Sequence, residues 1–305
     1  MADNIAHKVY YVAEATRGTT PATPALTTIR HTSCNLALAK ETFKSAEIDS
    51  TRNLIDFRHG NRQVGGDIGF ELSVGSFDDF IQALMMGTWA TNVLKVGTTR
   101  RSFSIVRNFT DQAAGVLPFH RFTGCEVNKM NLKLVAGKVV SGSFGFLGKN
   151  VAYEGTATTG ATYPAVTTST VIDAFTGSLT VDGVTNADIT ELTLNIENGL
   201  APNYALFDDT SQLPSTDMCN VSGELGIYFR DNTFLQKFLA QTYTNLVFSM
   251  MDQANAKGYT IRIPKISLTG GQPDVSGGGP IQLKVPFQAV YDSTVATSLQ
   301  ITRIP

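Results

Sequence analysis

Four histidines and three cysteines are the residues of this chain best suited to hold a metal, and they are scattered: His7, His31, His59 and His120, with Cys34, Cys125 and Cys219. The closest grouping, His31-Thr-Ser-Cys34, lacks a second ligand pair and matches no zinc spacing. Gly142, Gly145 and Gly148 before Lys149 have the composition of a phosphate loop, but they close an alternating apolar run and no helical pattern follows to receive an anion. Asp78 and Asp79 could be offered as paired carboxylates, yet neighbours on a helix point about 100° apart, so the first turn of a solvated helix explains them better. There is no Gly-x-Ser-x-Gly nucleophile elbow, and the basic doublet Arg100-Arg101 reads as surface. The expectation is a protein without catalytic residues, metal or cofactor, whose function is carried by shape.

Shape is where the sequence is informative. The stretch VGGDIGFELSVGSFDDFIQ from Val64 is echoed by VSGELGIYFRDNTFLQKFL from Val221, 157 residues later and without a gap. In the first, Asp67, Gly69, Glu71 and Ser73 alternate with Ile68, Phe70, Leu72 and Val74, the period of a strand with one buried face. In the second, Glu224, Gly226, Tyr228 and Arg230 alternate with Leu225, Ile227 and Phe229 in the same phase. Helical spacing follows each strand: Phe77, Phe80, Ile81 and Leu84 behind a candidate cap at Ser76, then Phe234, Phe238 and Leu239 behind Thr233.

The likeness extends both ways. Leu36 and Leu38 stand against Leu192 and Leu194 once a single gap is allowed, and alternating runs over Met130–Leu134 and Val140–Phe146 face a second set ending at Phe287. Pro264 shifts the phase of that set as a bulge or an edge proline does. The pattern predicts a mainly β chain of two tandem domains, each with one short α-helix: residues 31–150 and 171–305. Outside them lie an extended N-terminal arm, 1–30, with Pro21 and Pro24, and a Thr/Ala/Gly linker, 151–170. Asp182-Gly183 suits a two-residue hairpin turn.

Composition agrees. A length of 305 suggests roughly two domains, and 42% hydrophobic residues suffice for two modest cores. With 24 basic and 26 acidic side chains no electrostatic grip on nucleic acid is expected. No apolar run reaches membrane-spanning length, and MADNIAHK lacks signal-peptide features, so no membrane contact is expected. Three widely spaced cysteines argue for folding in a reducing cytosol.

Four segments together resemble the tail tube proteins of long-tailed bacteriophages: YYVAEATRGTTPATP, the run from SAEIDSTRNLIDFRHGNRQ through FDDFIQALMMGTW, RRSFSI, and FTGCEVNKMNLKLVAGKVVSGSFGF. The resemblance implies β-sandwich or barrel-like domains with one flanking helix, assembled into stacked rings that form the hollow conduit for DNA ejection. It also implies a virion tail protein made in the host bacterial cytoplasm, with tape-measure and tail terminator proteins as partners and DNA passing without specific binding. If the family's ring has six places, the repeat implies that three chains complete it, a trimeric ring with pseudo-sixfold symmetry in which each chain fills two places; the rival is a ring of six chains in which only one domain faces the bore. Asp67, Gly69, Glu71 and Ser73, with Glu224, Gly226, Tyr228 and Arg230, are expected to face the lumen. The segment 50–62 reads as a loop whose Leu54, Ile55, Phe57 and Arg58 contact the next ring, with residues 204–216 as its counterpart. The alternative is another tandem β-domain virion or surface protein without a DNA-conducting bore. A hydrolase with a shallow loop-built site is disfavoured by the missing constellation.

Overall fold

A computed structural model describes residues 3–47, 50–51, 53–185, 188–254, 256–274 and 279–305. The first half of the chain runs β1 (His7–Ala13), β2 (Thr27–Thr28), β3 (Ser33–Cys34), β4 (Ala37–Lys44), β5 (Phe57–Glu71), α1 (Asp78–Leu84), β6 (Val93–Lys95), β7 (Phe103–Phe109), β8 (Phe119–Val135), β9 (Ser141–Gly148) and β10 (Asn150–Glu154). The second half runs β11 (Gly177–Val181), β12 (Val184–Thr185), β13 (Ile189–Glu197), β14 (Asn220–Tyr228), α2 (Thr233–Leu239), β15 (Thr244–Met251), β16 (Gly258–Leu268), β17 (Pro273–Asp274), β18 (Gln282–Ala289) and β19 (Gln300–Ile304). The fold is mainly β and antiparallel, as the period-two runs require.

β8 organises the first half. Its 17 residues span about 55 Å at roughly 3.3 Å per residue, enough to serve two layers. Its N-terminal part pairs with β7 and β10, and β7 pairs with β1. Its C-terminal part pairs with β9, which pairs with β5 and through it with β4. A register shift between Val127 and Lys129 lies where the strand passes from one layer to the other, the bend a bulge provides.

The second half shows the corresponding pairings. β14 lies between β13 and β18. β16 pairs with β15 and β19 through its N-terminal part and with β18 through Ile266–Leu268. Its register with β15 shifts between Thr244 and Leu246, opposite Pro264, where the sequence places an irregularity. Val181 pairs with Val184 around Asp182 and Gly183, both at positive φ, forming the two-residue hairpin.

The halves are fused rather than strung together. β8 pairs with β13 from Lys129↔Glu197 to Val135↔Glu191, so one sheet runs β4-β5-β9-β8-β13-β14-β18. β6 crosses to pair with β19. The main cluster of buried apolar side chains reaches from Val9 to Ile301 and spans both halves, beside a small second cluster of Tyr10, Leu26 and Val106, where the sequence suggests one core per domain.

Several local expectations are corrected. The supposed N-terminal arm contains β1, with Val9, Tyr10 and Tyr11 buried, because β7 would otherwise leave a row of backbone groups unpaired. The supposed linker begins with β10, and its later residues are bound to the first half: Leu26 N–H donates to Thr162 O at 3.2 Å and Thr28 Oγ1 to Pro164 O at 2.5 Å. Phe77, not Ser76, occupies the α1 cap position, with no side-chain cap bond. Ser76 Oγ instead lies 2.8 Å from both Ser73 Oγ and Thr167 Oγ1. Asp78 and Asp79 are not merely solvated, since Tyr259 Oη donates to Asp78 at 2.6 Å and Tyr11 Oη to Asp79 at 2.9 Å.

Candidate functional site: a polar sheet face and a projecting hairpin

Strand register builds one polar face across both halves. Asp67 lies opposite Gly145, Gly145 opposite Lys129, and Lys129 opposite Glu197. A second row runs Glu71, Ser141, Lys133, Thr193, Glu224 and Pro286, and a third joins Glu191, Gly226 and Lys284. Residues opposite one another in a ladder share a face, so the rows place these groups together.

Three of the acids on this face are paired with lysines. Lys129 Nζ lies 3.3 Å from Asp67 Oδ1, Lys133 Nζ 2.7 Å from Glu191 Oε1, and Lys284 Nζ 3.7 Å from Glu224 Oε1. All six side chains are more than a third exposed, so each pair contributes about 0–1 kcal/mol. The Asp67 pair spans Gly145, where a Cβ would come within 2.4 Å of Lys129 and 2.7 Å of Asp67, so glycine is what leaves the bridge its space. Asn131 donates to Asn195 at 2.6 Å across the β8–β13 join. Arg230 lies beyond the end of β14 and pairs with Asp188 at 2.7 Å.

Two residues expected on this face are placed differently. Ser73 is fully buried, because β5 ends at Glu71 and Leu72 N–H bonds Val140 O as the chain turns inward. Gly69 is buried as well: a Cβ there would lie 2.5 Å from Ser33 Oγ and 2.9 Å from Thr32 Oγ1, so its smallness admits the β3 segment rather than clearing an open surface. Glu71 and Tyr228 are exposed, and Asp67, Glu224 and Gly226 are partly so.

The segment expected as a loop over 50–62 is strand from Phe57 onward. Phe57 and Arg58 belong to β5 and pair with Lys44 and Phe43, and Ser45 N–H continues the ladder to Asp56 O at 3.0 Å. A long hairpin results because the eight residues of β4 pair with residues 57–65 of the 15-residue β5. Leu54, Ile55, Phe57 and Phe43 are 54%, 48%, 47% and 57% exposed, an apolar grouping near its end. Arg58 bonds Asp56 at 2.9 Å. At the hairpin's base, Tyr204 Oη donates to Arg62 O at 3.1 Å and Arg62 Nε bonds Asp209 at 2.5 Å. The 204–216 segment therefore packs on its own chain, while Leu206, Phe207 and Leu213 remain exposed.

Sequence reasoning missed a buried ionic centre. Glu126, 3% exposed, accepts from Arg17 at 2.8 Å and from Arg100 at 2.7 and 2.9 Å. The two guanidinium groups also donate to the carbonyls of Gln212, at 3.0 Å, and Pro214, at 2.6 Å, tying the second half's longest connection to the first half. Arg100 is thus partly buried in an ion pair, and the signal was an acid set between the apolar Cys125 and Val127.

His7 Nδ1 lies 2.9 Å from His31 Nε2, and Arg107 Nε 3.1 Å from His7 Nε2. Burial, then the Arg107 charge, push the His7 imidazole down to about 4. Burial raises the Cys34 thiol out of the reactive range. Among the described residues no group of three or more His, Cys, Asp or Glu could hold a metal, and no helix is long and apolar enough to cross a membrane.

A family model described as phage tail tube protein matches residues 5–289. No curated protein matches the chain.

Proposed function

The chain belongs to the phage tail tube proteins, and we propose that three copies close each ring of the tube with pseudo-sixfold symmetry, every chain filling two places. Membership makes it a structural component of the virion tail that assembles with itself and meets other tail proteins. The tape-measure and tail terminator proteins are the partners we assign to the lumen and to the end of the tube.

The observation that carries the ring is the β8–β13 join. A set of strands, β4, β5, β9 and β8, is joined edge to edge with a second set, β13, β14, β18 and β16. A head-to-tail contact of this kind, repeated, generates a closed ring when its rotation closes. In this reading the repeated units are 31–150 and 171–305, with β1 and β10 completing the first as β11 and β19 complete the second.

The polar face suits a DNA conduit. Asp67, Glu71, Glu191, Glu197 and Glu224 outnumber Lys129, Lys133 and Lys284, so phosphates meet a compensated, mildly negative wall rather than a basic stripe that would hold them through counterion release. We assign Asp67, Glu71, Glu224, Gly226 and Tyr228 to the lumen, with Arg230 at its margin. The hairpin is the stacking element, since exposed Leu54, Ile55 and Phe57 stand clear of the chain's own core.

Electron cryo-microscopy of tubes formed by the purified protein tests the ring: three chains per ring are expected, and six would overturn it. Replacing Leu54 and Ile55 together by aspartate tests the stacking. Folded protein that no longer forms tubes is expected, and tubes of normal length would overturn the hairpin's role.

A further inference from the structure

Two edges of the continuous sheet have no strand partner among the described residues. One is β4, which pairs with β5 alone and has no fully buried residue. The other runs from Leu268 through Pro273–Asp274 and is bound on one side only, to β18: Leu268↔Phe287, Thr269 N–H to Pro286 O at 2.9 Å, and Pro273↔Leu283. Open strand edges are templates for pairing with another chain. We infer that the β4 edge of one copy pairs antiparallel with the Leu268–Asp274 edge of the next copy in the ring, with Ala37 opposite Gln272 and Leu38 opposite Gly271. This rests on the ring proposed above and adds the residues and register of its seam.

The register comes from the join inside the chain. Leu38 lies opposite Val64 and Ile196 opposite Val221, so Leu38 holds on β4 the place of Ile196 on β13. Phe70 lies opposite Gly142, itself opposite Leu132, and Ile227 opposite Leu283, itself opposite Pro273, so Pro273 holds the place of Leu132. Across the internal join Ile196 faces Met130 and Asn195 faces Asn131. Carried to the open edges, those pairs become Leu38 with Gly271 and Ala37 with Gln272.

Backbone direction agrees. Asn198 N–H donates across the internal join to Asn128 O at 2.8 Å, so Ile196, two residues away, also points its backbone groups across it. On β4, Asn35 N–H donates inward to Asp67 O at 3.1 Å, which leaves Leu38 and Lys40 aimed at the open edge. The facing residues Ala37, Ala39, Gly270 and Gly271 are small and let two backbones approach. In this register Pro273 lies opposite Leu36 and brings no donor, so that pair makes one backbone bond fewer than its internal counterpart.

Ala37 and Gln272 then form a non-hydrogen-bonded pair, with Cα atoms about 4.5 Å apart, inside the range a disulfide spans. In assembled tubes of the Ala37→Cys, Gln272→Cys variant, mild oxidation is expected to give covalent trimers on a non-reducing gel, while neither single variant does. Hydrogen exchange on the unaltered protein provides a measurement independent of that variant's folding. The Leu38 and Lys40 amides are expected to exchange at least about 100-fold more slowly in tubes than in unassembled protein. Three-chain rings in which these amides stay unprotected, or in which Ala39→Cys links to Gln272→Cys in place of Ala37→Cys, overturn the seam and leave the ring standing. Six-chain rings overturn the ring itself.

Discussion

α1 and α2 have the same length, seven residues, and each follows a strand with corresponding neighbours, β5 between β4 and β9 and β14 between β13 and β18, yet α1 buries four side chains and α2 one. Phe80 of α1 lies 4.5 Å from Tyr11, 5.2 Å from Phe103 and 5.3 Å from Phe146 by ring centroids. The second half clasps its N-terminal end, since Asp78 accepts from Tyr259 and pairs with Arg303 at 2.8 Å. α2 buries Phe234, leaves Leu239 70% exposed, and pairs Lys237 with Asp182 at 2.5 Å. The difference teaches that a helix is held by what its neighbours bring, and that the second half of one copy does for α1 what nothing among the described residues does for α2.

The comparison is broken most strongly at the aromatic anchors. Phe80→Ala is expected to cost about 3–5 kcal/mol, the range for a fully buried phenylalanine, and Phe234→Ala clearly less, because its site can collapse toward solvent. Denaturant unfolding of both variants as unassembled protein checks this, and equal losses would contradict the asymmetry. Next comes the clasp. Asp78→Asn weakens bonds from Tyr259 and Arg303 and is expected to cost about 1–3 kcal/mol. Asp231→Asn, whose carboxylate bonds only the exposed start of α2, is expected to stay within about 0.5 kcal/mol.

A third contrast is one of pH, since all four histidines lie in the first half. His7 is pushed down to about 4, and burial lowers His31 and His120 as well. A folded value below the unfolded 6.5 means that the unfolded chain takes up the proton first, so stability falls as pH drops from 6.5 toward 4. His7→Gln is expected to flatten part of that slope in unfolding curves measured between pH 7 and 4.5. The smallest stability effect belongs to the polar face. Asp67→Lys with Glu224→Lys is expected to lower stability by no more than about 1 kcal/mol per pair and to permit assembly, while slowing DNA ejection. Unchanged ejection kinetics in such virions would remove the electrostatic role of the wall.

Local patterns proved legible where physics is local. The alternation in β5 and β14, the two short helices, the Asp182-Gly183 turn and the irregularity at Pro264 all follow from neighbours a few residues apart. The sequence likeness is off by two residues on the preceding strands: Leu38 corresponds to Ile196 rather than Leu194, because sheet register depends on the partner strand. Ser76 was a plausible cap by type, but Ser73 and Thr167 engage its hydroxyl. Ser73 itself continued the alternation on paper, yet β5 had already ended and the chain turned it inward.

The sequence by itself determined that this is a mainly β chain with a repeated strand-and-helix element and a polar strand face free of metal or nucleotide signatures, since periods of two and 3.6 are written in adjacent side chains. Only the tertiary structure decided that the halves share one sheet through β8 and β13, that Glu126 sits buried between Arg17 and Arg100, and that lysines compensate the acids of the polar face. Each of those contacts joins residues far apart in the chain, and their pairing is set by strand register and burial, which no local pattern encodes.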